Sequence, residues 1–207
     1  MTAGEVPPRD AWYGPAHWDA LYRAGRKPWD PGGVPARLDQ WLSRQAAPGR
    51  ALVPGCGSAW EAGRLAEAGW DVAAVDFSGE AVAEARRILG KRAHLVKLAD
   101  FFALPADGGY DLVYERAFLC ALPPSLRSAW RDKLLEVMAP GGVLAGFFLL
   151  GPTGHGGPPF PVPEHELDGL LQESFRRMED APTEASAPVF SGRERWQVWA
   201  LQDAILP

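Results

Sequence analysis

The chain has 207 residues, 47% of them hydrophobic, which is enough to bury one ordinary-sized core, and a single domain over 1–207 is expected. Its net charge of −5, from 21 basic and 26 acidic residues without a Lys/Arg run, excludes the electrostatic footprint of a general nucleic-acid binder and points to small-molecule partners. With two cysteines, a longest apolar stretch of only Gly142 to Leu150 and an acidic, Pro-rich start, the chain shows no disulfide framework, membrane span or signal core, so a cytoplasmic protein without a membrane partner is expected.

Residues 1–10 are rich in Pro, Gly and charge and are expected to be loose. Trp12 to Trp29, by contrast, carries aromatic residues at intervals that an exposed tail would not tolerate. Pro15 opens a helix to about Ala24, and a second helix follows over 34–46. The chain then alternates: strand 50–54, helix 59–68, strand 71–75, helix 79–89, strand 93–97, strand 110–115, helix 124–138, strand 142–150. Such alternation predicts a parallel sheet covered on both faces. Ser78 is placed to cap the 79–89 helix, whose buried stripe is Ala81, Val82, Ala85, Ile88 and Leu89. Leu126, Trp130, Leu134, Val137 and Met138 form the stripe of the next long helix, which Pro140-Gly141-Gly142 ends. A Gly/Pro-rich loop at 151–163 leads to a helix near 164–173 and strands near 174–180 and 195–202. Two final strands joined by a short link predict an antiparallel edge.

The most informative stretch is Leu52-Val53-Pro54-Gly55-Cys56-Gly57-Ser58 followed by Val75-Asp76-Phe77-Ser78. It reads as a strand, a glycine turn open to a ligand, a helix, and a second strand ending in an acid. Free N–H groups after the turn would face a ligand's polar tail, and the Asp76 carboxylate can accept from two ribose hydroxyls. Dinucleotides and S-adenosylmethionine both carry a ribose. A dinucleotide fingerprint wants a third glycine where this chain has Trp60, which weakens a nicotinamide-dependent oxidoreductase and favours a smaller cofactor with an amino-acid tail.

Further segments extend the pattern: Trp18 with Pro28-Trp29-Asp30, Asp100-Phe101-Phe102, Glu115-Arg116-Ala117-Phe118-Leu119, and His155-Gly156-Gly157-Pro158-Pro159-Phe160. In this order the chain resembles the class I S-adenosylmethionine-dependent methyltransferases, and within them the thiopurine S-methyltransferase family. The resemblance implies a three-layer, doubly wound α/β fold with seven strands, the last antiparallel. It also implies a helical lid or cap over 1–47 and a Rossmann-like core over 48–207. The cofactor would be S-adenosylmethionine, leaving as S-adenosylhomocysteine, with no metal. The acceptor would be a small nucleophile: a thiol, a halide, or a tellurium or selenium species. An O- or N-methyltransferase of a small metabolite and a non-catalytic cofactor-binding protein are the alternatives. The sequence does not set the oligomeric state, and a monomer is the default.

Carried over residue by residue, the resemblance puts Trp18, Trp29, Gly55, Gly57, Asp76 and Phe77 at the cofactor, with Asp100, Phe101, Glu115 and Arg116. The acceptor pocket would take Trp18, Arg116 and Phe160, and the catalytic positions are Arg116 and His155. Each has a plainer alternative. Asp100 either accepts from the adenine amino group or caps a turn. Arg116 either draws in an anion or pairs with Glu115 or Asp76. Trp18 and Trp29 either roof the cofactor or pack an N-terminal core. His155 either takes a thiol proton or lies in solvent on its loop.

Overall fold

Alternate residues of a strand buried on both faces must pack into different layers, and the first strand does so. In the computed structural model, which describes residues 14–107, 109–153, 157–183, 186–190 and 192–202, this strand is β1 (Arg50–Pro54). Its Ala51 and Val53 join one apolar cluster and Leu52 the other. The remaining strands are β2 (Asp71–Asp76), β3 (Val96–Leu98), β4 (Tyr110–Arg116), β5 (Met138–Leu149), β6 (Phe175–Pro182) and β7 (Glu194–Leu201). They form a seven-stranded sheet in the order β3-β2-β1-β4-β5-β7-β6. β1 to β5 are parallel, and β7 runs antiparallel to both of its neighbours, β5 and β6.

The helices are α1 (Pro15–Arg23), α2 (Ala36–Leu42), α3 (Trp60–Glu67), α4 (Gly79–Leu89), α5 (Arg127–Val137) and α6 (Glu164–Leu171). On one face Trp41 of α2, Leu65 of α3 and Ala85 of α4 pack with Tyr114 and Trp196 of the sheet. On the other, Trp130 and Leu134 of α5 and Leu167 of α6 pack with Val113 and Phe148. The expected three layers and antiparallel last strand are present. No helix among the described residues is long and apolar enough to cross a membrane.

Three expectations change in detail. The strand expected at 93–97 is a 3-10 turn over Gly90–Leu95 followed by the short β3, because Gly90 leaves α4 at φ +54° and the chain stays helically coiled. The 124–138 helix opens as a 3-10 turn at Pro124–Leu126 and ends at Val137. Ala139 precedes a proline and is steered away from the helical region, so β5 starts at Met138, opposite Tyr110, and takes Pro140-Gly141-Gly142 as an irregularity in register. The two final strands form the expected antiparallel edge, with β7 inserted between β5 and the outermost β6.

Ser78 caps α4 as expected: its Oγ accepts from the Ala81 N–H at 3.1 Å and donates to the Asp19 carboxylate of α1 at 2.6 Å. Because that hydroxyl is fully buried, Ser78→Ala leaves the Ala81 N–H without its acceptor and takes one of its donors from Asp19. The expected outcome is a loss of about 1–2 kcal/mol in urea unfolding, as a shifted midpoint at unchanged slope.

Candidate active site

After β1 the chain turns through Gly55 and Gly57 at φ +55° and +51°. A Cβ at Gly55 would run into the Phe118 ring, and one at Gly57 would lie 2.7 Å from the Tyr22 hydroxyl oxygen. Three amides of the turn itself are bonded within the protein. Cys56 N–H donates to the Val75 carbonyl at 3.0 Å, Gly57 N–H to Asp76 Oδ2 at 3.0 Å, and Ala59 N–H to the Cys56 carbonyl at 2.7 Å. Ala59 then enters α3 from the left-handed region at φ +57°.

Asp76 ends β2 with one backbone N–H on each oxygen, from Gly57 and from Ser78 (2.9 Å). Burial raises its pKa, against the lowering effect of those bonds and of a third from the Phe77 N–H. Three N–H bonds leave one of the carboxylate's four lone pairs for a further donor. The Tyr22 phenol faces this acid, and burial followed by Asp76's charge pushes its pKa up.

Arg116 ends β4. Its Nη1 reaches Glu61 of α3 at 2.6 Å, with both side chains about one-tenth exposed, and its guanidinium lies 5.3 Å from the centre of the Phe147 ring. Burial works most strongly against its charge, but the Glu61 carboxylate and its hydrogen bond, with Tyr114 and Glu194, together outweigh it, so the arginine pKa lies above its ordinary value. The partner is therefore neither Glu115 nor Asp76. Strand alternation sends the Glu115 side chain to the opposite face, where Oε1 accepts from the Phe118 and Leu119 N–H groups, both at 2.9 Å.

These groups meet in a cavity of about 790 Å³ at the carboxyl ends of β1, β2 and β4, where the strand order reverses. Trp18, Trp29, Gly55, Gly57, Asp76 and Phe77 line it, together with Asp100, Phe101 and Arg116. Glu115 and Phe160 do not. Phe160 instead donates its N–H to the Cys120 carbonyl at 2.6 Å, and its neighbours Pro158 and Pro159 provide the wall. His155 lies outside the described residues. Asp100 does cap a turn, accepting from the Phe102 N–H at 3.0 Å, and still lines the cavity.

The N-terminal segment roofs this space. Trp18 and Trp29 meet edge to face at 5.4 Å between ring centres, both only partly buried. The roof is tied down by Asp19, which also accepts from the Glu80 N–H, by the Arg23–Glu80 pair at 3.0 Å, and by Lys27 on Glu84. Asp30 gathers the Ser58 hydroxyl, the Trp60 indole N–H (3.1 Å) and the Gly32 N–H (2.9 Å). Burial pushes the Asp30 pKa up, but these donors and Lys27 hold it below the usual carboxylate value. Glu61, Tyr22 and this use of Asp30 escaped the sequence reading. Tyr22 and Asp30 lie in or beside the aromatic segment that ends at Trp29, whereas Glu61 carried no signal.

A seven-stranded sheet with this strand order and this cavity is the fold of the class I S-adenosylmethionine-dependent methyltransferases. One solved structure with it is the Burkholderia thailandensis 1,6-didemethyltoxoflavin-N1-methyltransferase holding S-adenosylhomocysteine, with a TM-score of 0.76 and 19% identity over 98% of this chain and 94% of that one. The sequence narrows the class: the profile of the thiopurine S-methyltransferase family matches residues 13–204, and the chain belongs to that family. It is 30% identical over 159 residues to a probable thiol methyltransferase 2 of Arabidopsis thaliana, covering 74% of this chain and 70% of the relative. It is 28% identical over 189 residues to a thiocyanate methyltransferase 1 of Brassica oleracea, covering 88% and 83%. The protein is an S-adenosylmethionine-dependent methyltransferase.

Proposed function

We propose that this cavity transfers a methyl group from S-adenosylmethionine to a small soft nucleophile, a thiol first of all. One observation carries the proposal: the Asp76 carboxylate, the Gly55–Gly57 turn and the buried Arg116 guanidinium line the same aromatic-walled space. The residues fit the cofactor. Asp76 is a carboxylate at the cavity with acceptor capacity left for a ribose hydroxyl, and Gly55 and Gly57 leave space that side chains would fill. Asp100 and Phe101 are taken to hold the adenine, and Trp18 and Trp29 to close over the reacting end.

The sulfonium supplies an electrophilic methyl group. The residues around it orient and dry the site. A thiolate and a sulfonium lose charge as they react, so water would stabilise them more than the transition state, and the indole and phenyl walls remove that water. Alignment of acceptor, methyl and leaving sulfur supplies the rest. An ordinary thiol with a pKa of about 8.5 is already a few per cent ionised at neutral pH, so no strong base is required, and Arg116 favours the anion. The thiol and thiocyanate methyltransferase names of the relatives support this acceptor class. We read the protein as a cytoplasmic monomer acting on small molecules, in keeping with its acidic balance.

The test is a radiolabelled-cofactor assay with thiophenol, hydrosulfide, iodide and thiocyanate beside catechol and amine acceptors. Transfer to the sulfur acceptors at least about tenfold faster than to oxygen or nitrogen is expected, a margin of about 1.4 kcal/mol in barrier. Transfer to catechol or amine alone would overturn the acceptor class.

A further inference from the structure

Glu115 is a buried acid that does not line the cavity. It is 2% exposed, and both N–H bonds it accepts fall on Oε1, while Oε2 has no partner among the described residues. Those bonds secure the turn after β4, in which Ala117 is left-handed at φ +60° and Phe118 lies against Gly55. Ala117, Phe118, Cys120, Ala121 and Leu122 of this turn wall the cavity beyond Arg116. We propose that Glu115 is a positioning residue that couples this wall to pH, holding the turn closed while its carboxyl is protonated and loosening it once the carboxyl ionises.

The direction follows from solvation. A neutral carboxyl can still accept both N–H bonds on Oε1, whereas the ionised group buries a charge with one oxygen bare. Opening the turn hydrates that charge. Burial accordingly pushes the Glu115 pKa up to about 7, against the lowering effect of the Leu119 and Phe118 N–H groups. An acid whose pKa is higher in the closed than in the hydrated turn favours closure below its ordinary value, and that preference fades as pH rises through about 7.

The neighbouring groups do not substitute for it. Tyr114 on β4 and Cys120 on the turn are pushed up by burial and stay neutral across this range. Glu194 on β7 and the cation Arg127 of α5 act on Cys120. Gly146, opposite on β5, brings no side chain.

Only the functional consequence rests on the proposed function; the titration does not. Amide exchange of Phe118 and Leu119 by NMR, corrected for the intrinsic rate, should show protection falling about tenfold between pH 6 and 8.5. Glu115→Gln should remain protected and flat, and Glu194→Gln should keep the wild-type slope. In the thiophenol assay the acceptor KM should rise over the same interval in the wild type and not in Glu115→Gln. Flat protection in the wild type, or an equal slope in Glu115→Gln, overturns the inference. Titrating amides with no S-adenosylhomocysteine binding at any pH would leave it standing and overturn the proposed function instead.

Discussion

Arg116→Ala is expected to reduce methyl transfer by about 10²–10³-fold and to cost about 3–5 kcal/mol of stability, because it removes the guanidinium and leaves the buried Glu61 carboxylate uncompensated. The two losses separate cleanly. Pairing Glu61→Leu with Arg116→Met replaces the ion pair by apolar volume and should recover most of the stability while recovering none of the rate. Arg116→Lys should be a poor substitute, since a compact ammonium cannot both reach Glu61 and keep a delocalised cation beside the Phe147 ring. Urea unfolding beside initial rates with thiophenol checks both halves. If the apolar double variant turns over at the wild-type rate, Arg116 has no part in the transfer.

Gly55→Ala should weaken S-adenosylhomocysteine binding about 30- to 100-fold in calorimetry, with a smaller effect on folding. At φ +55° an L-residue carries roughly 1 kcal/mol of backbone strain, and its methyl group would have to displace the Phe118 ring. That ring packs edge to face on Phe101 at 5.3 Å, so its movement carries into the residue proposed to cover the adenine. Gly79→Ala makes the matching control, because a Cβ there meets nothing within 4 Å. Equal affinity in Gly55→Ala and the wild type would remove the turn from the cofactor site.

The parts legible in the sequence were those whose chemistry is local. Gly55, Gly57 and Asp76 lie within one strand–helix–strand unit, and spacing alone puts them at one sheet end. Likewise, Ser78 announces its cap by preceding a helical stripe. The Arg116–Glu61 pair was not legible, since it joins residues 55 apart on β4 and α3 and depends on which strands become neighbours. Glu115 misled for the opposite reason: it adjoins Arg116 in sequence, yet the period of two in a strand turns it to the other face. The position of β7 also escaped, because periodicity reports that a strand exists and says nothing of where it inserts.

The Ser78 hydroxyl is shared, capping α4 through Ala81 and anchoring the N-terminal roof through Asp19. The segment before β1 therefore cannot melt as an independent unit: lifting it removes a partner from the first turn of the helix beneath, and fraying that turn releases the roof. Access to the cavity and the cooperativity of folding are thus set by the same few bonds. A ligand that keeps the roof seated should protect α4 from proteolysis at a distance, without touching most of it.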